Sequence, residues 1–146
     1  MRILGLDYGS RRIGVAICDE LGLTAHGVGT VIRRNRDADL AAIGEIIRRY
    51  GVERIVIGYP LRLDGSEGIQ CEKINRFVRR LEMRFSLPVV RHDETLSTKE
   101  AEVLLREAGV RVDKRRGMVD RFAASIILQG YLDALATEVK CAPTSP

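Results

Sequence analysis

The chain has 146 residues, 45% hydrophobic and 30% charged, with a formal net charge of +4 and a pI near 9.2. Such a balance describes one globular domain long enough to bury a core, and the basic surplus mildly favours a polyanionic partner. Cys18, Cys71 and Cys141 are too few and too scattered for a disulfide framework or a Cys-x-x-Cys zinc site. No apolar run reaches the roughly 20 residues of a membrane helix, and the N-terminus has no signal-peptide pattern, so a soluble, cytoplasmic protein with reduced thiols is expected.

The first twenty residues predict a β-hairpin. Ile3-Leu4-Gly5-Leu6 is an apolar run that ends in Asp7, a turn containing Gly9 follows, and Ile13 to Cys18 is a second apolar run, so residues 3–7 and 12–18 form the hairpin. A third strand is expected around Ala25–Arg33, and the short spacing makes the three an antiparallel meander. The period then changes. Leu40, Ile43, Ile47 and Tyr50 recur at helical spacing, and Gly51 stands where a C′ glycine ends a helix.

Arg54–Tyr59 is continuously apolar after its first residue, the pattern of a strand buried on both faces, and Pro60 stops it. A glycine-rich loop, Leu61–Gly68, leads to a helix in which Cys71, Ile74, Val78, Leu81 and Phe85 share a face. Pro88–Arg91 begins a fifth strand that ends near His92-Asp93-Glu94. Ser97 and Glu100 are spaced as a capping box for a helix over Thr98–Ala108. A basic loop, Val110–Gly117, is expected before a last helix from about Asp120 to Leu135. Residues 1–138 read as a single domain and residues 139–146 as a disordered tail. Joining a meander to βαβ units gives an α/β fold: a mixed five-stranded sheet, order 3-2-1-4-5, with helices on both faces. That order brings the ends of strands 1, 4 and 5 to one edge.

Three acids gather there in prospect. Asp7 ends the first strand, although an Asp in that position also suits an Asx-turn. Asp93 and Glu94 end the fifth strand, and alternation lets only one of them face the site. Asp120 begins the last helix, where it competes with a reading as an N-cap. Three converging carboxylates repel one another unless a cation lies among them, and an all-oxygen donor set suits Mg²⁺ or Mn²⁺. Two such ions roughly 4 Å apart can hydrolyse a phosphodiester. His92 could assist, but a lone His beside acids more often lies on the surface. Asp64 reads as a turn residue of the glycine loop, while Asp19 and Glu20 leave by the opposite edge. Lys114, Arg115 and Arg116, with Arg121 beyond Asp120, could guide a phosphate backbone toward the acids, as could Arg11 and Arg12 in the first hairpin. Arg48-Arg49 and Arg79-Arg80 read as solvated helix faces. Too few aromatics are present for a broad base-stacking platform.

The segments LDYGSRRIGVA at 6–16, GYPLRLDGSEG at 58–68, DETLSTKEA at 93–101 and DRFAASIILQGYL at 120–132 together resemble the YqgF (RuvX) family. Its members are bacterial proteins described as pre-16S rRNA nucleases or Holliday-junction-resolvase-like proteins. The resemblance runs in order over about residues 1–133, with Thr95 standing where many members carry another residue. It implies a ribonuclease H-like fold of the RuvC kind, divalent-metal chemistry with Asp7, Glu94 and Asp120 as the acids, and maturation of the 5′ end of 16S rRNA. Branched DNA is the alternative substrate, and ribosomal precursor particles are expected partners of a monomer or homodimer. Two other classes stay open: a small phosphotransferase, from the D-x-G hairpin, and an RNA-binding assembly factor without catalysis.

Overall fold

The computed structural model describes residues 1–62, 64–93, 106–107 and 112–141, the last stretch with side chains over 121–137. Three antiparallel strands open the chain: β1 (Ile3–Tyr8), β2 (Arg12–Cys18) and β3 (Ala25–Ile32). Helix α1 (Arg36–Tyr50), β4 (Arg54–Tyr59), α2 (Ile69–Phe85), β5 (Val89–Asp93) and α3 (Val112–Cys141) follow. The sheet order is β3-β2-β1-β4-β5, with β4 parallel to β1 and β5 parallel to β4, as the sequence predicts.

Alternation along β1 sorts its side chains into two cores. Leu4, Leu6 and Tyr8 join Leu40 and Ile43 of α1 and Ile74, Phe77 and Val78 of α2. On the other face, Ile3 packs with Ala124, Ile127, Leu128 and Tyr131 of α3. The central strands are therefore apolar on both sides, because each face carries a helix layer.

Helix α1 starts at Arg36, four positions before the first periodic apolar residue, because Asn35 caps it: its Oδ1 accepts the Ala38 N–H at 2.9 Å. Gly51 ends it in the left-handed region at φ 62°, in the expected place. The last helix departs further from expectation. It begins at Val112 and not near Asp120, so residues 112–117 of the segment read as a basic loop are helical, and Asp120 is an interior helical position and not an N-cap. The helix also continues to Cys141, so the first three positions of the expected tail are helical and the rest lies outside the described residues. The helix predicted over Thr98–Ala108 lies outside them too, except at helical Arg106 and Glu107.

Candidate active site

Asp7 is half-buried near the end of β1. Two residues before it, a Cβ built on Gly5 would meet Leu128 Cβ at 2.8 Å and the Ala124 carbonyl oxygen at 3.2 Å. Gly5 therefore lies directly beneath α3, and alternation gives Asp7 the same face.

Helix α3 runs antiparallel to β1. Gln129 accepts the Ala25 N–H at the start of β3, while Arg121 covers Gly27, further along that strand. Moving from Gly5 to Asp7 advances about 6.7 Å along the sheet. Moving from Ala124 back to position 120 advances about 6 Å along the helix in the same direction and returns to the same helical row. The topology thus brings positions 7 and 120 to one level of one face. Glu94 lies outside the described residues, as does the side chain of Asp120. Among the described residues no three His, Cys, Asp or Glu side chains form a metal-binding group.

The neighbours of Asp7 within the sheet are distinctive. Gly14 of β2 pairs with it directly. On the other side Leu6 pairs with Ile57, so the next position on β4 at the level of Asp7 is Gly58, and Gly58 pairs with His92 of β5. With strands about 4.8 Å apart, two glycines leave a side-chain-free strip on both flanks of the acid. Glycine inside a strand marks a bulge, a bend or a close approach of a ligand or another backbone, and β2 has a register shift just after Gly14, between Val15 and Ala16.

His92 is half-buried. Its ring meets Tyr131 edge to face at 6.1 Å and 79°, and a Cβ on Gly130 would stand 3.0 Å from its Nε2. Tyr131 is itself fixed by an N–H from the Arg54 guanidinium at 2.8 Å. Asp93 alternates away from this face with Val89 and Arg91; Arg91 Nε donates to Asn75 of α2 at 2.6 Å. The strand therefore turns Asp93 from the side that Asp7 occupies.

The remaining acids have turn roles. Asp64 accepts both the Ser66 hydroxyl at 2.6 Å and the Ser66 N–H at 2.9 Å, beside Gly65 at φ 84°. Those bonds, the hydroxyl's first, hold its carboxyl below the usual range. Asp19 closes the β2–β3 turn, and Glu20 pairs with Arg2 at 3.6 Å on the far edge.

The basic candidates divide. Arg11 is exposed in the β1–β2 turn, and half-buried Arg12 opens β2, both beside Asp7 in the chain. Arg121 is directed over β3: a Cβ on Gly27 would lie 2.6 Å from its Cγ. It is carried on a different row from the one above β1. Positions 114–116 are helical, in the two turns before Asp120.

Comparison with known proteins agrees with this geometry. The family pattern described as "RuvX: Holliday junction resolvase" matches residues 1–134. The chain belongs to the RuvX family. A relative from Syntrophus aciditrophicus (strain SB), named "Putative pre-16S rRNA nuclease", is 64% identical over 138 residues, which are 94% of this chain and 92% of that protein. One of the same name from Halothermothrix orenii is 52% identical over 133 residues, covering 91% of this chain and 95% of its own. Among solved structures, Thermus thermophilus RuvC in complex with a Holliday junction superposes at TM-score 0.56 with 15% identity, over 93% of this chain and 96% of that one. Fowlpox virus resolvase with Holliday junction DNA superposes at 0.53 with 14% identity, over 92% and 99%. The sheet and helix layers of this RuvX chain are those of the RuvC-type ribonuclease H-like fold.

Proposed function

We propose that this chain is a divalent-metal-dependent nuclease that hydrolyses phosphodiester bonds and trims the 5′ end of pre-16S rRNA in the cytoplasm, on ribosomal precursor particles. The observation that carries this reading is the place of Asp7: half-buried, beneath the α3 face, and flanked in the sheet by Gly14 and Gly58.

The donor set fits Mg²⁺ or Mn²⁺. Asp7, Glu94 and Asp120 offer only oxygen, the ligand chemistry of hard divalent cations. Two ions held by these acids would supply Lewis-acid chemistry, activating water and stabilising a leaving oxygen. The chain's own part is placement. The β1 ladder holds Asp7, and the row Ala124–Leu128 sets the height of α3 above it. Arg11 and Arg12 flank the acid with positive charge for the substrate backbone. Lys114, Arg115, Arg116 and Arg121 extend that charge along α3.

The relatives' name supports the rRNA substrate, and the description of the family pattern supports branched DNA as the second reading. One assay separates them. A labelled 16S-precursor 5′ segment and a four-way DNA junction are each incubated with wild type and with Asp7→Asn, in Mn²⁺, Mg²⁺ and EDTA. Metal-dependent cutting of the RNA, lost in Asp7→Asn, is the expected result. Cutting of the junction alone would reassign the substrate. Cutting that persists in Asp7→Asn would remove the metal-site reading.

A further inference from the structure

Beyond the Asp7 face, the opposite side of the same sheet edge holds a basic groove. It lies between the β1–β2 turn and α2 as two adjoining hollows of about 300 and 350 Å³ that share Tyr8, Ser10, Arg33 and Arg80. Lys73 and Arg76 line the first hollow; Arg34, Arg36 and Asp39 line the second. Six cations thus face a single carboxylate.

The groove is built from three parts of the chain. Arg33 is its fixed member. Its guanidinium stacks over the Tyr8 ring at 4.6 Å, donates to the Gly9 and Ser10 carbonyls at 3.0 and 3.3 Å, and pairs with buried Asp39 at 3.6 Å. Lys73, Arg76 and Arg80 follow i, i+3, i+7 spacing, which puts them on one stripe of α2. Among the described residues these three make no ion pair, and Lys73 and Arg76 are exposed. The one aromatic in the wall with a polar tip, Tyr8, is buried, stacked on Phe77 at 4.5 Å and covered by Arg33, so it offers no face to a base. A groove with cations and no stacking surface recognises phosphates in series and not nucleobases.

We propose that this groove binds the sugar–phosphate backbone of a nucleic acid, on the face of the sheet opposite Asp7, and that Lys73, Arg76 and Arg80 are its phosphate contacts. Tyr8 and Asp7 are chain neighbours on opposite faces, and only the turn through Gly9 and Ser10 separates groove from acid. A strand passing over that turn reaches both. The inference rests on the nucleic-acid part of the proposed function and uses none of its metal chemistry.

The test is fluorescence anisotropy of a labelled RNA duplex of about 20 base pairs in EDTA, titrated at several salt concentrations from about 50 to about 200 mM. Wild type is compared with Lys73→Gln/Arg76→Gln/Arg80→Gln. A control, Arg48→Gln/Arg49→Gln/Arg79→Gln, removes the same charge from exposed positions outside the groove. Losing three phosphate contacts should lower the slope of log affinity against log salt by about 2 to 3 and weaken binding at least about tenfold. The control should keep most of the wild-type slope. Lys73→Gln alone, at an exposed position that the fold does not need, should lower the slope by about one. Equal losses in both triple variants, or an unchanged slope in the groove variant, would overturn the proposal. If wild type cuts RNA but the groove variant binds as wild type does, only the groove falls. If wild type neither binds nor cuts, the nuclease reading falls with it.

Discussion

Gly5 and Leu128 are in closest approach where α3 crosses β1: a methyl group on Gly5 would stand 2.8 Å from Leu128 Cβ. The neighbouring obstacle is the Ala124 carbonyl, part of the helix backbone, at 3.2 Å. Gly5→Ala must therefore lift the helix and not merely turn a side chain. The expected cost is about 1–3 kcal/mol in urea unfolding. Cleavage should fall further than stability does, by as much as about a hundredfold, because position 120 rides on the same row. Unchanged cleavage in a destabilised Gly5→Ala would show that the seating of α3 does not set the site.

The acids predict a response to metal in the folded protein itself. Mg²⁺ or Mn²⁺ at about a hundred times its dissociation constant should stabilise wild type by about 2.7 kcal/mol, seen as a higher Tm. Asp7→Asn should lose that rise. In the proposed site that substitution would also remove one of three like charges, so apo Asp7→Asn should no longer respond to either ion. Nucleic-acid affinity in EDTA should survive the substitution. A wild-type Tm indifferent to either ion would argue against a metal centre.

Asp39 is a buried acid with a structural task. At 5% exposure it accepts the Arg34 N–H at 3.0 Å and pairs with Arg33. Asp39→Ala leaves the amide and the guanidinium short of a partner, and about 1–3 kcal/mol should be lost on denaturant unfolding. Asp39→Asn keeps an acceptor for the amide and should lose less. Equal losses in both variants would mean that the ion pair, and not the amide bond, carries the effect.

Acid should act on the β2–β3 turn. The Leu23 N–H at 2.7 Å, foremost, and the Thr24 amide and hydroxyl hold the Asp19 carboxyl below its ordinary value. A carboxylate lowered on folding adds stability above its unfolded pKa, and that stability fades as pH falls through the folded value. Tm measured from about pH 5 down to about pH 2 should therefore fall less steeply in Asp19→Asn than in wild type. Parallel curves would show that the turn bonds do not favour the charged form.

How much of this was legible beforehand varies with what fixes each feature. The sheet order followed from hairpin spacing and apolar runs, because strands buried on both faces leave a strong local mark. The start of α3 did not. Lys114 to Gly117 carries three consecutive charges and a glycine, which read locally as a loop although these positions are helical. The seat of His92 against Gly130 was not legible because the two are 38 positions apart in the chain. The basic groove was hidden for the same reason. Arg33 and Arg80 meet only through the crossover, and the pair Arg79-Arg80 reads as one solvated patch although helical rotation sends only Arg80 into the wall.

The opposite orientation of Asp7 and Tyr8 makes the length of β1 a matter of odd and even. Inserting or deleting one residue between Gly5 and Asp7 would turn the acid into the apolar layer beneath α1 and α2 and bring the tyrosine up against α3. A change of two would preserve both faces and displace the acid along its own track. Drift in this strand is thus tolerated in pairs, and a lone insertion there should be far rarer among functional variants than one in the β2–β3 turn, where no parity is at stake.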